Sequence, residues 1–317
     1  MTTAVGARLS TTSEGLWLTA ALAGVSRLPS VLKVRPVGDV ANTVATHPGM
    51  AVLEEAGVCS GAVLDSDVAD WLLTLGRPDV ELAITVSRPE GNPDRFVGPP
   101  PLFEAPEDDP LAAYEALEQW RSRQGAQRAA ALCRREGRWV AAARVWRTGE
   151  APLDEIVVSP LADGAVAAAI GALAGRAQPA DFDGINIESA VLESLAAQWQ
   201  ARPGMDVVAA LTDAGLTVPQ ARIVAAVGDA SAARTVVVAA QYSIDGAQFA
   251  PTGITIVDTL LGRVIISNLA GNGEPRWTML FPGTAQRVAR AVGELLQGLP
   301  SGSAWTTHQR IQKFDTR

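Results

Sequence analysis

Apolar positions along the 317-residue chain fall into two arrangements that recur in the same order. Helical spacing at Val68, Trp71, Leu72 and Leu75, and again at Ile223, Val224 and Val227, predicts amphipathic helices. Each is preceded by a similar string, LEEAGV at Leu53 to Val58 or LTDAGL at Leu211 to Leu216. Each is followed by a strand-like run, VELAITV from Val80 or TVVVAAQ from Thr235. Further along, REGRWVAAARV from Arg135 and LLGRVIISNLA from Leu260 both read as hairpins with a glycine and then an arginine at the turn. A third pair, EIVVSPLADGAVAAAIGALAG and WTMLFPGTAQRVARAVGELLQG, predicts a strand ended by Pro160 or Pro282 and then a helix. In the second of these, Val288, Ala291, Val292, Leu295, Leu296 and Leu299 share one helical face.

The repeated order predicts an α+β fold of two similar halves, 1–178 and 179–317, joined near Gln178 to Phe182, with strands that share one sheet. The first half is longer between its strand and its hairpin. The excess is read as an insertion at Gly91 to Gln124, a surface loop rich in proline, glycine and acid, then a short helix from Leu111 to near Arg123.

Composition narrows the function classes. With 48% hydrophobic residues the chain can bury a sizeable core. A net charge of -8 and a pI of about 4.9 oppose a broad electrostatic grip on nucleic acid or anionic lipid. The opening MTTAVGARLSTT lacks a signal-peptide pattern, and the longest apolar stretch, Ala165 to Gly175, is too short to span a bilayer, so a cytoplasmic location is expected. Two cysteines, Cys59 and Cys133, exclude a disulfide framework and a four-cysteine zinc site.

Candidate chemistry is sparse. His47 sits beside Pro48 and His308 in a polar tail, far apart in sequence, and neither has the context of a general base. No zinc-protease, nucleophile-elbow or phosphate-loop motif occurs. Asp65, Asp67 and Asp70 could suggest a cation, but they stand where a helix should begin and read as capping residues. Thr217 to Gln220, TVPQ, reads as a capping box. Asp258 and Arg263 bracket a tight turn and read as a solvent-exposed hairpin pair worth about 0.2 to 1 kcal/mol. From Arg121 to Arg147 eight arginines meet a single acid, Glu136, with Trp120, Trp139 and Trp146 interleaved. That composition would suit an RNA-binding surface, but on strands it also arises when alternate arginines face water and tryptophans cover the core. The residues thus suggest no catalytic group, cofactor or metal; an enzyme of unrecognised type and an RNA-binding protein using 120–147 stand as alternatives.

The segments IVDTLLGRV, Trp277, PGT at Pro282 to Thr284, the amphipathic helix after it, and Leu299 with Pro300 resemble the C-terminal region of the EspG family of type VII (ESX) secretion chaperones from mycobacteria and relatives. EGLWLTAALAGV, then VLKVRP, and later VADWLLTLGRPDVEL look like that family's first helix, following strand and helix-to-strand junction. The likeness covers most of the chain outside 91–124. It implies a central antiparallel sheet flanked by two helical bundles with quasi-twofold symmetry. It also implies a cytosolic, non-enzymatic chaperone that binds a PE–PPE heterodimer 1:1:1 at the helical tip of PPE, away from PE, and keeps it soluble for secretion.

A partner surface is expected on the second half, on the helix pair Met205 to Val227 and the strand Thr235 to Gln241. Leu216 and Val218 are apolar at a helix connection, and Gln220 and Arg222 follow in the first turn, beside Ile223. Val237, Ala239 and Gln241 would line the same groove. The competing reading is that Leu216 and Val218 staple the helix to the core.

Overall fold

The computed structural model describes residues 3–5, 8–34, 44, 46–88, 109, 111–113, 115–116, 126–147, 153–202, 204–269 and 276–311. A large antiparallel sheet runs through them. Its outer strands are β1 (Thr3–Val5), β2 (Arg8–Thr11) and β8 (Leu153–Leu161) on one side, and β9 (Ile185–Glu188) and β14 (Trp277–Pro282) on the other. Between them lie β7 (Arg138–Arg147), β6 (Ala126–Arg135), β5 (Val80–Arg88), β10 (Ala233–Ser243), β12 (Ile254–Thr259) and β13 (Gly262–Leu269). The spatial order is β1-β2-β8-β7-β6-β5-β10-β12-β13-β14-β9, and β11 (Gly246–Phe249) pairs with the far end of β10. A separate small hairpin joins β3 (Cys59–Ser60) to β4 (Val63–Leu64).

The centre is the long antiparallel pair β5 and β10, Arg234 opposite Ser87 through Gln241 opposite Val80. Outward from β5 the order is β6, β7, β8, β2; outward from β10 it is β12, β13, β14, β9. Both predicted hairpins form. Arg135 and Arg138 close one around Glu136 and Gly137, both at positive φ (50° and 85°), as a two-residue turn requires; Thr259 and Gly262 close the other.

Alternation along the strands assigns the layers. One face packs against α4 (Val166–Ala174) and α8 (Ala285–Gln297), and Leu82, Ile84, Val237, Ala239, Ile256 and Ile265 are buried there. The six positions read from the sequence, five on α8 and Leu299 just after it, all lie within this core. On the opposite face, α1 (Ser13–Leu22), α2 (Gly49–Glu55) and α3 (Ser66–Gly76) cover Cys133, Val140, Ala142, Ile156 and Val158 of β6 to β8. On the second half, α5 (Ser189–Ala201), α6 (Val207–Asp213) and α7 (Val218–Gly228) cover Ile185, Ile187, Val264 and Leu280.

The helix ends show why LEEAGV and LTDAGL look alike. In both, a glycine at positive φ, Gly57 at 69° or Gly215 at 99°, turns the chain out of the helix. The next residue then donates its N–H five residues back, Val58 to Leu53 O at 2.9 Å and Leu216 to Leu211 O at 3.2 Å. Asp65 caps α3 through the N–H groups of Asp67 and Val68, and Thr217 with Gln220 forms the capping box of α7. The likeness is incomplete: α2 reaches α3 through the β3–β4 hairpin, whereas α6 and α7 are joined by Leu216 and Thr217 with their short flanks.

Several expectations are corrected. VLKVRP was expected to form a strand, but Ser30–Leu32 is a 3-10 turn, and Lys33 at φ 51° ends it in the left-handed region; Arg35 and Pro36 lie outside the described residues. Pro160 does not end its strand, since β8 runs to Leu161. Gln178 to Ala180 is not a free connector: Arg263 N–H donates to Gln178 O at 2.7 Å, and Ala180 N–H to Arg263 O at 3.0 Å. Of the 91–124 insertion, Leu111–Ala113, Glu115 and Ala116 are helical, and the rest lies outside the described residues apart from Asp109.

The arginine stretch does not simply face water. Arg134 and Arg144 are both buried. Arg134 donates to the carbonyls of Thr306 and His308, and Arg144 to those of Leu32 and Lys33. Trp139 does cover the core, edge-on to Trp305 with centroids 6.3 Å apart. Trp120 and the side chain of Trp146 lie outside the described residues. Among the described residues no helix is long and apolar enough to cross a membrane, and no group of three or more His, Cys, Asp or Glu could hold a metal ion.

Candidate functional site

The helical layers on the second face stand apart, one over β6 to β8 and β2, the other over β9, β13 and β14. Between them the middle of the sheet is open. Val236 and Val238 of β10 are 40% and 39% exposed, although they sit in central strands. Their cross-strand neighbours extend the patch: Val236 lies opposite Thr85 and Thr255, and Val238 opposite Ala83. Thr85 is exposed, and Thr255 and Ala83 are half-buried. One pair further along, Ala240 lies opposite Phe249 of β11, which is 67% exposed. A row of valine, threonine and phenylalanine in mid-sheet, with helices on both sides, is an apolar surface of the kind that marks an interaction site.

The rim is rigid by construction. Arg234, at the start of β10, donates to the carbonyls of Val227 (2.8 Å), Asp229 (2.6 Å) and Ala232 (3.1 Å), tying the end of α7 to the sheet. Burial lowers the Arg234 pKa and the Asp229 carboxylate opposes that shift. Asp229 in turn accepts the Ser231 N–H and hydroxyl, both at 2.8 Å. At the other end of α7, which lies against β12, Val218 is 46% exposed and Arg222 is exposed. Gln220 is half-buried and held to Thr217 N by its side chain at 3.0 Å.

The residues expected to form the partner surface divide into two sets. Val218 and Arg222 are exposed on α7, and Leu216 and Gln220 are half-buried beside them. Ile223 faces the core under α7. Val237 and Ala239 have no exposed surface and point into the opposite core, against α8. Gln241 is buried because its Oε1 accepts the Ser301 N–H at 3.1 Å and the Ser301 hydroxyl at 2.5 Å. The strand expectation was therefore one residue out of register. Thr235 and Gln241 are polar and share a face with Val237 and Ala239, which made that face resemble the wet side. The outward residues are Val236 and Val238. A run apolar on both faces, VVVAA, is the one signal that could have raised the alternative, because such a strand gives no parity of its own.

Residues considered for chemistry have structural partners. Gly49 N–H donates to His47 Nδ1 at 3.0 Å, and His47 Nε2 lies 3.1 Å from Glu14. His308 Nε2 lies 2.7 Å from Tyr242 O. Cys59 and Cys133 are free, buried thiols whose pKa burial raises. Asp70 meets Arg138 at 3.3 Å on the surface.

The fold and this face define an α+β protein whose long antiparallel sheet presents an open, apolar centre between two helical layers. The chain matches the EspG family over residues 12–99 and 110–294, and it belongs to that family. It is 29% identical to the ESX-5 secretion-associated protein EspG5 of Mycobacterium marinum, across 94% of this chain and 95% of that one. It is 27% identical to the ESX-2 secretion-associated protein EspG2 of Mycobacterium tuberculosis, across 96% and 99%. Its structure is similar to that of the M. tuberculosis type VII secretion system chaperone EspG5 in complex with a PE25–PPE41 dimer. That likeness has a TM-score of 0.71 at 23% identity and covers 95% of this chain and 100% of the other.

Proposed function

We propose that this protein is a cytoplasmic, non-catalytic chaperone of type VII secretion that binds a PE–PPE heterodimer 1:1:1, at the helical tip of the PPE subunit, and keeps it soluble. The observation that carries the reading is the open sheet face around Val236 and Val238, which leaves apolar surface uncovered in mid-sheet. A partner that covers it removes that surface from water. The solved EspG5 complex with PE25–PPE41 supports this kind of partner. Within the face, Val236, Val238 and Phe249 form the apolar floor, and Leu216, Val218, Gln220 and Arg222 stand at the α7 end.

The two halves, 1–178 and 179–317, are proposed to be an internal repeat. The strand orders on the two sides of the β5–β10 pair and the shared helix endings support it. The test of function is co-expression with the PE–PPE pairs encoded beside the same secretion locus. A stable 1:1:1 complex by size exclusion with light scattering is expected; failure with every pair would overturn the reading.

A further inference from the structure

At the end of the sheet where β5 begins, β6 ends and β10 turns into β11, the chain forms a cavity of about 650 Å³ that is partly open to solvent. Its walls come from the loop after α1, the end of α3, the β6–β7 turn and the segment Gln309 to Ile311. Glu81 lines it and is 6% exposed; its Oε2 accepts the Tyr242 hydroxyl at 2.6 Å. The other Glu81 oxygen makes no hydrogen bond to a described residue. Asp79, the second buried acid, is fully engaged, with the Arg310 N–H on Oδ1 at 2.7 Å and the Glu136 N–H on Oδ2 at 2.8 Å.

Four arginines from four separate segments line the same cavity: Arg27, Arg77, Arg135 and Arg310. Arg310 lies over the Tyr242 ring at 5.8 Å, and Arg135 reaches Glu136 at 3.8 Å. Arg27 and Arg77 are exposed, and their guanidinium groups form no hydrogen bond or ion pair with a described residue. Three acids, Asp79, Glu81 and Glu136, share the lining, but Asp79 is taken up by backbone N–H groups and Glu136 by Arg135, so the guanidinium groups of Arg27 and Arg77 remain to meet a ligand.

We propose that this cavity binds a small organic oxyanion, a carboxylate or phosphate carried on an apolar body. Guanidinium forks match both anions in bidentate geometry, Leu28, Pro29, Leu75 and Ile311 give the body an apolar wall, and the volume is that of a small-molecule site. The cavity adjoins the open sheet face, since Glu81 lies opposite Ala240 in the row of Val236 and Val238 and β11 lends Gly246 and Ala247 to the lining, but its anion chemistry rests on the arginines rather than on a PE–PPE partner. Burial raises the Glu81 pKa, against the Tyr242 hydrogen bond and the charge of Arg27, so Glu81 can hold a proton and donate it to a ligand oxygen. Tyr242 and Cys133, from the flanking strands, are the other titratable groups coupled to it, and Asp79, Arg77, Arg135, Glu136 and Arg310 complete the charges around the cavity. A bound anion favours the protonated carboxyl, so binding takes up a proton and tightens as pH falls.

Calorimetric titration of the full chain with phenyl phosphate, benzoate and inorganic phosphate tests this. Saturable binding of at least one aromatic anion is expected, about tenfold tighter than inorganic phosphate, and the preferred one identifies phosphate or carboxylate as the natural group. Arg27→Ala with Arg77→Ala should weaken binding at least about tenfold at unchanged melting temperature. Glu81→Gln should keep the affinity and abolish its rise at lower pH. Absence of saturable binding by both aromatic anions, or undiminished affinity in the double arginine variant, would overturn the site. Inorganic phosphate binding as tightly as phenyl phosphate would overturn the apolar body, and a persistent pH effect in Glu81→Gln would overturn the role of that carboxyl.

Discussion

Asp258 and Arg263 face each other across the β12–β13 hairpin as a two-point pair, Arg263 Nε to Oδ1 at 2.6 Å and Nη2 to Oδ2 at 2.8 Å. The arginine side chain is only 7% exposed and the aspartate 19%, so the pair expected to be exposed has a buried arginine and a half-buried aspartate. The cause is long-range. The same Nη2 donates to Gly175 O at 2.8 Å and Ala174 O at 3.2 Å, where α4 ends, and Gly262 lets Ala180 pass so close that an added Cβ would come within 2.6 Å of its nitrogen. Hairpin, helix end and the Gln178–Ala180 segment therefore share one charge.

Removing the acid leaves that charge buried without its counter-ion. Asp258→Ala should cost about 3 kcal/mol, at the low end for breaking a buried pair, because the carbonyls of Ala174 and Gly175 still accept from Arg263. Urea denaturation of the two proteins measures it; a change near that of a surface pair, below about 1 kcal/mol, would be inconsistent with the buried network.

Glu81 supplies a pH dependence whose sign is set by burial. Its folded pKa is raised above the ordinary value of 4.5, so the folded state binds more protons than the unfolded one. Its contribution to stability is fully present below the unfolded pKa and is lost as pH rises through the folded pKa. Glu81→Gln should remove this loss, so the variant gains melting temperature relative to the parent as pH is raised from about 4.5. A difference in melting temperature that stays constant with pH would contradict the assignment.

Arg134 and Arg138 lie on the same hairpin and separate a structural arginine from a solvated one. Arg134 holds the carbonyls of Thr306 and His308, and burial lowers its pKa while Asp79 opposes the shift. Arg138 meets Asp70 with both side chains more than half exposed. Arg134→Ala should cost about 2 kcal/mol and Arg138→Ala less than about 1 kcal/mol, read by thermal denaturation. Equal losses would return both to the solvated class. A nucleic-acid test of this stretch therefore belongs on Arg138, since replacing Arg134 disturbs the fold.

What the sequence carried well was local. The stripe on α8, the Asp65 cap and the Thr217 capping box each depend on residues within a turn or two of one another, and each formed as read. What it carried poorly depends on which layer lies over a strand. Nothing near Arg263 in sequence announces the end of α4, and nothing in the TVVVAAQ run says that Gln241 is held by Ser301, far along the chain. The short outer strands β2 and β9 gave no periodic signal because each is four residues long. The candidate site was thus legible as a region, strand β10 with helix α7, and not as a face.

That face is settled by two substitutions one residue apart. Val238 is 39% exposed on the open side and Val237 is fully buried against the other core. Val238→Arg places a charge in water and should change stability by no more than about 0.5 kcal/mol. At the centre of the interface the same substitution should weaken PE–PPE binding by about 2 kcal/mol or more, roughly thirtyfold. Val237→Asp buries an unpaired carboxylate and should cost more than about 4 kcal/mol, visible as lost soluble yield before any binding is measured. Val218→Arg and Arg222→Glu extend the map to α7: retained melting temperature with loss of the complex places that helix end in the interface, whereas a melting temperature that falls for Val218→Arg makes the side chain a staple to the core. If Val238→Arg forms the complex as tightly as the parent, the open sheet face is not where the partner sits.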